Sequence, residues 1–580
     1  MDYQELSDDE MVEARADALA TILADDSPRK LVVAGPGTGK THAFKELFGA
    51  RDGSKLALTF LTSLVRDLDK ELGAVADVYS FHGFAHLLLR TIAVTGVSKG
   101  VDYYPALELI YEHDVALLGT EATQAEIEKI IMNLRDESPV LANLLRCGGY
   151  YDAVGYSDSV YRVLRQLQAE PGAVPAYAQI VVDEYQDFSL METEFIEALA
   201  QASPILVVGD DDQALYTFRH ASAIYLRALV NDDRYTNFEL PFCSRCTEVL
   251  VAATHHVAAQ AQEQGLLTGR IPKAFVCYRP DKKEASERHR AIVHAQCSVE
   301  NKNAPYMERY LEEAIREIPD EDIKRSREAG YPTALVIGPR QFSGRAFEYL
   351  SERFADVEYK MSEQLEVRAL DGYKRLANDP ESRLGWRILL YLLQPSGWSE
   401  VVTSALANGD ELAQLVDDGF RQEHLGIATL VARLLAEEEL TPGEVSRITD
   451  AAGLGLADLL AALGIETTEA DPQEGADGEK PEFVADEPSI LVTSLMGAKG
   501  LEASHVFVVG VNDGHFPRDN KAPTDDEVCQ LLVALTRARE SCTIVSTRNF
   551  GGSWLNNSIF TDWLKPFIGE MVIDKTHFAD

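Results

Sequence analysis

Residues Gly35-Pro36-Gly37-Thr38-Gly39-Lys40-Thr41 follow the apolar run Leu31-Val32-Val33-Ala34 and join three glycines to a lysine and a threonine. Glycines at this spacing let backbone N–H groups converge on phosphate oxygens, and a helix starting here turns its positive end toward the same charge. Lys40 is then placed for β- and γ-phosphates, and Thr41 for Mg²⁺. The chemistry implied is binding of a nucleoside triphosphate. The pattern is a relaxed one, because Ala34 stands where the strict phosphate loop has glycine.

Two further stretches extend that chemistry. After the apolar run Ile180-Val181-Val182 come Asp183-Glu184-Tyr185-Gln186-Asp187, which puts adjacent carboxylates at the C-terminal edge of a buried strand, where open α/β sheets hold ligands. Asp183 suits Mg²⁺, and Glu184 suits orienting and deprotonating an attacking water. The run Ile205-Leu206-Val207-Val208 opens into Gly209-Asp210-Asp211-Asp212-Gln213-Ala214-Leu215-Tyr216-Thr217-Phe218-Arg219. There Gln213 is placed to sense a γ-phosphate, and Tyr216 and Phe218 offer flat faces on which unpaired bases stack. Cys243-x-x-Cys246 could begin a metal site, but no second closely spaced pair completes it.

These residues need elements to hold them. Short apolar runs recur at 56–60, 180–182, 205–208, 334–337, 506–509 and 543–545, with helical spacing between them, as in strands of parallel sheets buried on both faces. Two groups of runs separated by helical stretches predict two sheets. Residues 92–176 and 379–465 have helical apolar spacing, and the second stretch ends in the acidic, Pro/Gly-bearing segment 466–481, expected to be a linker. At 580 residues the chain is too long for one core. A net charge of −40 argues against nucleic acid held by overall charge, so such a partner must meet a local basic groove. The start lacks the pattern of a signal peptide, no apolar run is long enough to cross a bilayer, and seven scattered cysteines make no disulfide framework. These features predict a cytoplasmic protein with no membrane partner.

Taken in order, the motifs resemble those of UvrD/Rep-type superfamily 1 DNA helicases. Thr59-Phe60 and Ser80-Phe81-His82-Gly83-Phe84 resemble early DNA-contact motifs; 183–187 resembles the Asp-Glu-x-Gln-Asp box, and 209–219 the motif after it. Phe242-Cys243-Ser244-Arg245 falls where the family has Asn-Tyr-Arg, Gly497-Ala498-Lys499-Gly500-Leu501-Glu502 resembles a late motif, and Val533 to Arg539 resembles the motif carrying an arginine finger. The resemblance implies an α/β fold of two RecA-like parallel-sheet motor domains, each interrupted by a mainly helical insertion. The expected first motor domain is 1–91 with 177–272, enclosing an insertion at 92–176; the second is 273–378 with 487–580, enclosing 379–486. It also implies ATP and Mg²⁺ as cofactors, Arg245 and Arg537 on the γ-phosphate, Gly500 and Glu502 on the nucleotide with Glu502 at the ribose, and Phe60, His82, Tyr216 and Phe218 on DNA.

The implied activity is ATP-driven movement on single-stranded DNA, 3′ to 5′, with unwinding at single/double-strand junctions. The alternative is a DNA-sensing ATPase switch that regulates a partner, such as a nuclease or a repair or defence protein. The chain departs from the family pattern in several places. It has no adenine-reading Gln between Leu6 and Lys30, Ser244 replaces a Tyr that stacks on the base, and Ser494, Met496, Ala503 and Val528-Cys529 replace residues that touch DNA or couple it to ATP. Weak discrimination between purine triphosphates is expected as a result.

Overall fold

Apolar residues fill both faces of the strands, which is the condition for a parallel sheet covered by helices. The computed structural model describes residue 3 and residues 6–60, 62–298, 306–360, 365–465 and 487–578. The expected acidic linker at 466–481 lies outside the described residues.

Strands β1 (Arg29–Ala34), β2 (Lys55–Thr59), β3 (Asp77–Ser80), β4 (Gln179–Val182), β5 (Ile205–Gly209) and β6 (Thr236–Leu240) form a six-stranded sheet of order β3-β2-β4-β5-β1-β6. Every pairing in it is parallel. The phosphate loop, the Asp183–Glu184 pair and the Asp210–Gln213 turn leave β1, β4 and β5, which are neighbours in register, so all three meet at one sheet edge.

A second, seven-stranded sheet has the order β9-β10-β8-β11-β12-β7-β13, again wholly parallel. Its strands are β7 (Ile292–Cys297), β8 (Ala334–Gly338), β9 (Val357–Lys360), β10 (Ile490–Ser494), β11 (Ala503–Val509), β12 (Ala538–Thr547) and β13 (Ile568–Ile573). The two sheets and their helical insertions are those expected from the sequence.

Three details of the partition differ from the expected boundaries. The helix Glu248–Glu263, placed with the first lobe by sequence order, buries Leu250, Ala253 and Val257 in the core of the second, against the helices Asp525–Leu535 and Ile559–Leu564. The expected joint at 272/273 falls in a segment still seated on the first lobe, where Lys273 meets Asp210–Asp212 and Phe275 abuts Gly35. The second helical set begins at Ala369, near ten residues before the expected 379, because Leu370, Tyr373 and Leu376 pack on the helices Arg383–Leu393 and Asp418–Leu435.

The two helical sets share one apolar core with a face of the first sheet. Arg387 of the second pairs with Asp114 of the first at 2.7 Å, both side chains wholly buried, and Tyr151 donates to the same carboxylate at 2.8 Å. Burying two charges is tolerable only with such pairing and added hydrogen bonds. No helix among the described residues is long and apolar enough to cross a membrane.

Candidate active site

The helix Lys40–Gly49 starts directly on the phosphate loop, whose Gly37 and Gly39 take φ of +69° and +88°. Glycine is required at Gly37 for a second reason, since a Cβ there would lie 2.5 Å from Arg245 Cβ. Ala34 is the last residue of β1, in register with Leu240, so it belongs to the strand and not to the phosphate-facing turn. Ser244 donates to the Gly37 carbonyl through both its N–H and its hydroxyl at 2.8 Å, which fastens the Arg245 segment onto the loop.

Lys40 Nζ lies 2.9 Å from Glu184 Oε1 and 3.7 Å from Asp183 Oδ1. Burial works against its charge, yet these carboxylates hold its pKa above the ordinary lysine value. Burial raises Asp183, whereas Glu184 is held far below the usual carboxylate range because Lys40 and Lys499 outweigh its burial. Glu184 also takes φ +57°, a left-handed conformation uncommon outside glycine and a form of strain that concentrates at functional positions. Thr41 and Asp183 line the same cavity, an oxygen donor set that fits Mg²⁺.

That cavity, about 550 Å³, runs between the lobes. The first lobe supplies Lys40, Thr41, Asp183, Glu184 and Gln213; the second supplies Tyr331, Gly500, Glu502 and Arg537, and Arg245 enters at the seam. Arg245 Nε and Arg539 Nη1 grip Glu502 at 2.6 Å and 2.8 Å. Arg537 donates to Gln213 Oε1 at 3.1 Å and to the carbonyls of Leu501 and Val533 at 3.2 Å and 3.0 Å. Burial and the nearby Arg245 bring its pKa down to about 10, so it remains a cation at neutral pH.

Nothing in the sequence singles out Lys499 beyond its place in a motif. Its buried ammonium crosses from the second lobe to Asp187, to Glu184 Oε2 at 3.3 Å and to the Gln213 carbonyl at 2.6 Å. Only a strand-to-turn context and the flanking glycines mark it, and neither encodes a partner 312 positions away. A second group was also missed: an open cavity of about 790 Å³ on the second lobe, lined by Arg340, Gln341, Arg345, His515 and Arg518. Lone arginines spread over the sequence carry no spacing signal that would have found it.

The expected DNA contacts are distributed unevenly. Phe60 and His82 are buried, each 6% exposed, and so present no free face to a strand. Phe60 packs against Tyr216 and Phe188 at ring separations of 5.2 Å and 5.7 Å, and His82 stacks on Tyr156 at 3.8 Å. Burial lowers the His82 pKa, which leaves the ring neutral. Tyr216 is partly buried; Phe218 lies in the turn Thr217–Arg219, and its side chain is outside the described residues.

At Ser244, where the loss of an aromatic wall for the purine was expected, the side chain is spent on the phosphate loop. Across the loop, a small cavity is bounded by Arg15, Gly39, His42 and Phe242. With no side-chain amide among the described residues lining that cavity, GTP is expected to turn over with a kcat/KM within about tenfold of that for ATP. Steady-state hydrolysis of the two nucleotides checks this, and a preference for ATP above about 100-fold would exclude it.

Two parallel α/β lobes that close a phosphate-loop cavity with basic residues from the opposite side define a two-lobed P-loop protein. Residues 138–232 match the UvrD/REP helicase N-terminal domain, and residues 476–549 match the UvrD-like helicase C-terminal domain. DNA helicase II of Salmonella typhimurium is 23% identical over 89% of this chain and 82% of its own length. The ATP-dependent DNA helicase PcrA of Leuconostoc citreum is 22% identical over 88% and 78%, and the ATP-dependent DNA helicase UvrD1 of Mycobacterium bovis 24% over 88% and 79%. Both matched regions, and most of the chain's length, are thus similar to UvrD/Rep-type DNA helicases.

Proposed function

We propose that this protein is a DNA-dependent ATPase that moves along single-stranded DNA and unwinds duplex at junctions, in the cytoplasm. The observation that carries the reading is the shared cavity, in which the phosphate-loop lysine, the carboxylate pair and two arginines face one volume. Domain limits follow the packing described above: a first motor lobe on β1–β6, a second on β7–β13 joined by the helix Glu248–Glu263, and two helical insertions that dock on one another.

Lys40 and the loop N–H groups bind the β- and γ-phosphates, and Thr41 and Asp183 hold Mg²⁺, which when bound offsets phosphate charge. Glu184 accepts a hydrogen bond from the attacking water and orients it in line with the γ-phosphate. It remains ionised throughout the neutral range, so its protonation should cause no loss of rate between about pH 5 and 8. Gln213 and Arg537 form one hydrogen-bonded unit across the seam, so charge developing on the γ-phosphate is sensed by both lobes at once. Arg245 is expected to leave Glu502 for that phosphate, which frees Glu502 for the ribose.

The local basic surface that an acidic chain needs is supplied by Arg340, Arg345 and Arg518 on the second lobe. On the first lobe the buried Phe60 forms the floor under Tyr216, which is the stacking face for the strand, and Phe218 is the second contact expected from the sequence. Lys499, 5.8 Å from the Tyr216 ring and paired to Asp187, joins that floor to the catalytic Glu184.

Strand displacement on duplexes with a 3′ or a 5′ single-stranded tail tests the reading. The 3′-tailed substrate is expected to be separated in an ATP-dependent reaction and the 5′-tailed one not. DNA-stimulated turnover with neither duplex separated would replace helicase action by the switch reading, in which turnover governs a partner protein.

A further inference from the structure

The Cys243-x-x-Cys246 pair has no part in the reactions above, yet it brackets Arg245. Cys243 ends the short strand Phe242–Cys243, and Cys246 precedes the helix Glu248–Glu263. Both side chains are wholly buried, and among the described residues they belong to no cluster that could hold a metal ion. The Cys243 thiol donates to the Pro36 carbonyl of the phosphate loop at 3.3 Å and accepts the Cys246 N–H at 3.3 Å. The Cys246 thiol donates to the carbonyl of Thr536, the residue before Arg537, at 3.6 Å.

These thiols therefore tie the phosphate loop to the Arg537 segment, with Arg245 between them. Their chemistry is unequal. Burial opposes ionisation of Cys243, but hydrogen bonding from Cys246 and from the backbone brings its pKa down to about 7; buried Cys246, beside that sulfur, is pushed up. At neutral pH Cys243 is thus divided between the thiol that donates to Pro36 and a thiolate, while Cys246, whose N–H lies on the Cys243 sulfur, stays a thiol, the arrangement of an attacking and a resolving cysteine. A narrow cavity with room for about one water-sized molecule touches Pro36 and Thr536, the acceptors of both thiols.

We propose that Cys243 and Cys246 are an oxidisable dithiol whose disulfide disconnects the phosphate loop from the arginine segment and stops turnover, the oxidant being a hydroperoxide. The Cys243 thiolate attacks one peroxide oxygen; the S–O bond forms, the O–O bond breaks, and the departing hydroxide takes the proton Cys243 lost, leaving sulfenic acid and water. Cys246 sulfur then attacks the Cys243 sulfur; the S–S bond forms, the S–O bond breaks, and the hydroxide leaves with the Cys246 proton as a second water. Two electrons pass from the thiols to the peroxide. Both S–H donors vanish, so Pro36 and Thr536 lose their partners, and ring closure around Ser244-Arg245 draws Arg245 from its position.

The effect on turnover rests on the ATPase reading, whereas formation of the disulfide does not. The test treats the full chain with hydrogen peroxide, blocks remaining thiols with N-ethylmaleimide, and measures the Cys243–Cys246 peptide by mass together with ATP turnover. The expected result is an unalkylated peptide lighter by about two hydrogens, a fall in turnover of about tenfold or more, and recovery of both with dithiothreitol. Cys246→Ser, compared with its own untreated rate, should lose dithiothreitol-reversible inhibition. The proposal is overturned if the pair stays reduced under peroxide, if the disulfide forms without loss of turnover, or if Cys246→Ser is inhibited as wild type is. A protein with no turnover before treatment would remove the ATPase reading, and the peptide mass would still decide whether the dithiol exists.

Discussion

Arg537→Ala is expected to lower the ATP turnover number by about 10³-fold, with nucleotide affinity changed by less than about tenfold, because an arginine on the transferring phosphoryl acts mainly in the transition state. Its guanidinium is held by Gln213, Leu501 and Val533 and lines the cavity that holds Lys40, so it needs only a small rearrangement to reach a γ-phosphate. Arg537→Lys should not rescue, since the single nitrogen of an ammonium cannot stand at the three separate positions from which Nε, Nη1 and Nη2 donate. Truncation also leaves buried acceptors unpaired, each costing roughly 1–3 kcal/mol, so a thermal melt must accompany the kinetics. Turnover within about threefold of wild type in a folded Arg537→Ala protein would remove the residue from the mechanism.

Lys40→Ala is expected to reduce turnover at least about 100-fold through loss of the cation on the β- and γ-phosphates. It has a second effect, visible without nucleotide. Glu184 retains Lys499 at 3.3 Å, but Asp183 loses its nearest cation, and removing one member of a buried pair costs about 3–5 kcal/mol. In the wild type the depressed Glu184 pKa contributes stability that is fully present above the unfolded value of about 4.3 and is lost as pH falls through the folded one. Lys40→Ala moves the folded value up toward the unfolded one, so this contribution shrinks at neutral pH and the variant should lose less stability than wild type on acidification. Chemical denaturation at pH 7 and pH 4 checks the sign.

The sequence makes the nucleotide site legible because its parts are local: a strand, a turn and a helix start lie within a dozen residues, and each turn residue has one physical reason to be there. The phosphate loop, Asp183–Glu184 and Gln213 converge because their strands are neighbours, which parallel topology nearly guarantees. Long-range partners are different. Lys499 reaches Asp187 across 312 positions, and Arg387 reaches Asp114 across 273; in each case either residue alone looks like a solvated charge. Apolar periodicity reports that the helix Glu248–Glu263 has a face to bury, but not which lobe receives it. Aromatic spacing is equally silent on depth: Phe60 and His82 have the composition of a stacking surface and are buried.

The docked insertions bear on the motor as well. With Asp114 and Arg387 buried together, the two helical sets can separate only by exposing an ion pair and the core around it, so they are expected to move as one unit during the cycle. Changes in the cleft would then be transmitted through the lobes, where Lys499 and Arg537 already cross the seam.

The central claim is that two lobes hold one nucleotide and that DNA engagement is coupled to its hydrolysis. The most direct test is ATP turnover measured across a titration of single-stranded DNA, with wild type and Arg537→Ala in parallel. The account predicts a rise of about tenfold or more in the wild type that saturates with DNA and is absent in the variant. Turnover indifferent both to DNA and to the loss of Arg537 would contradict it.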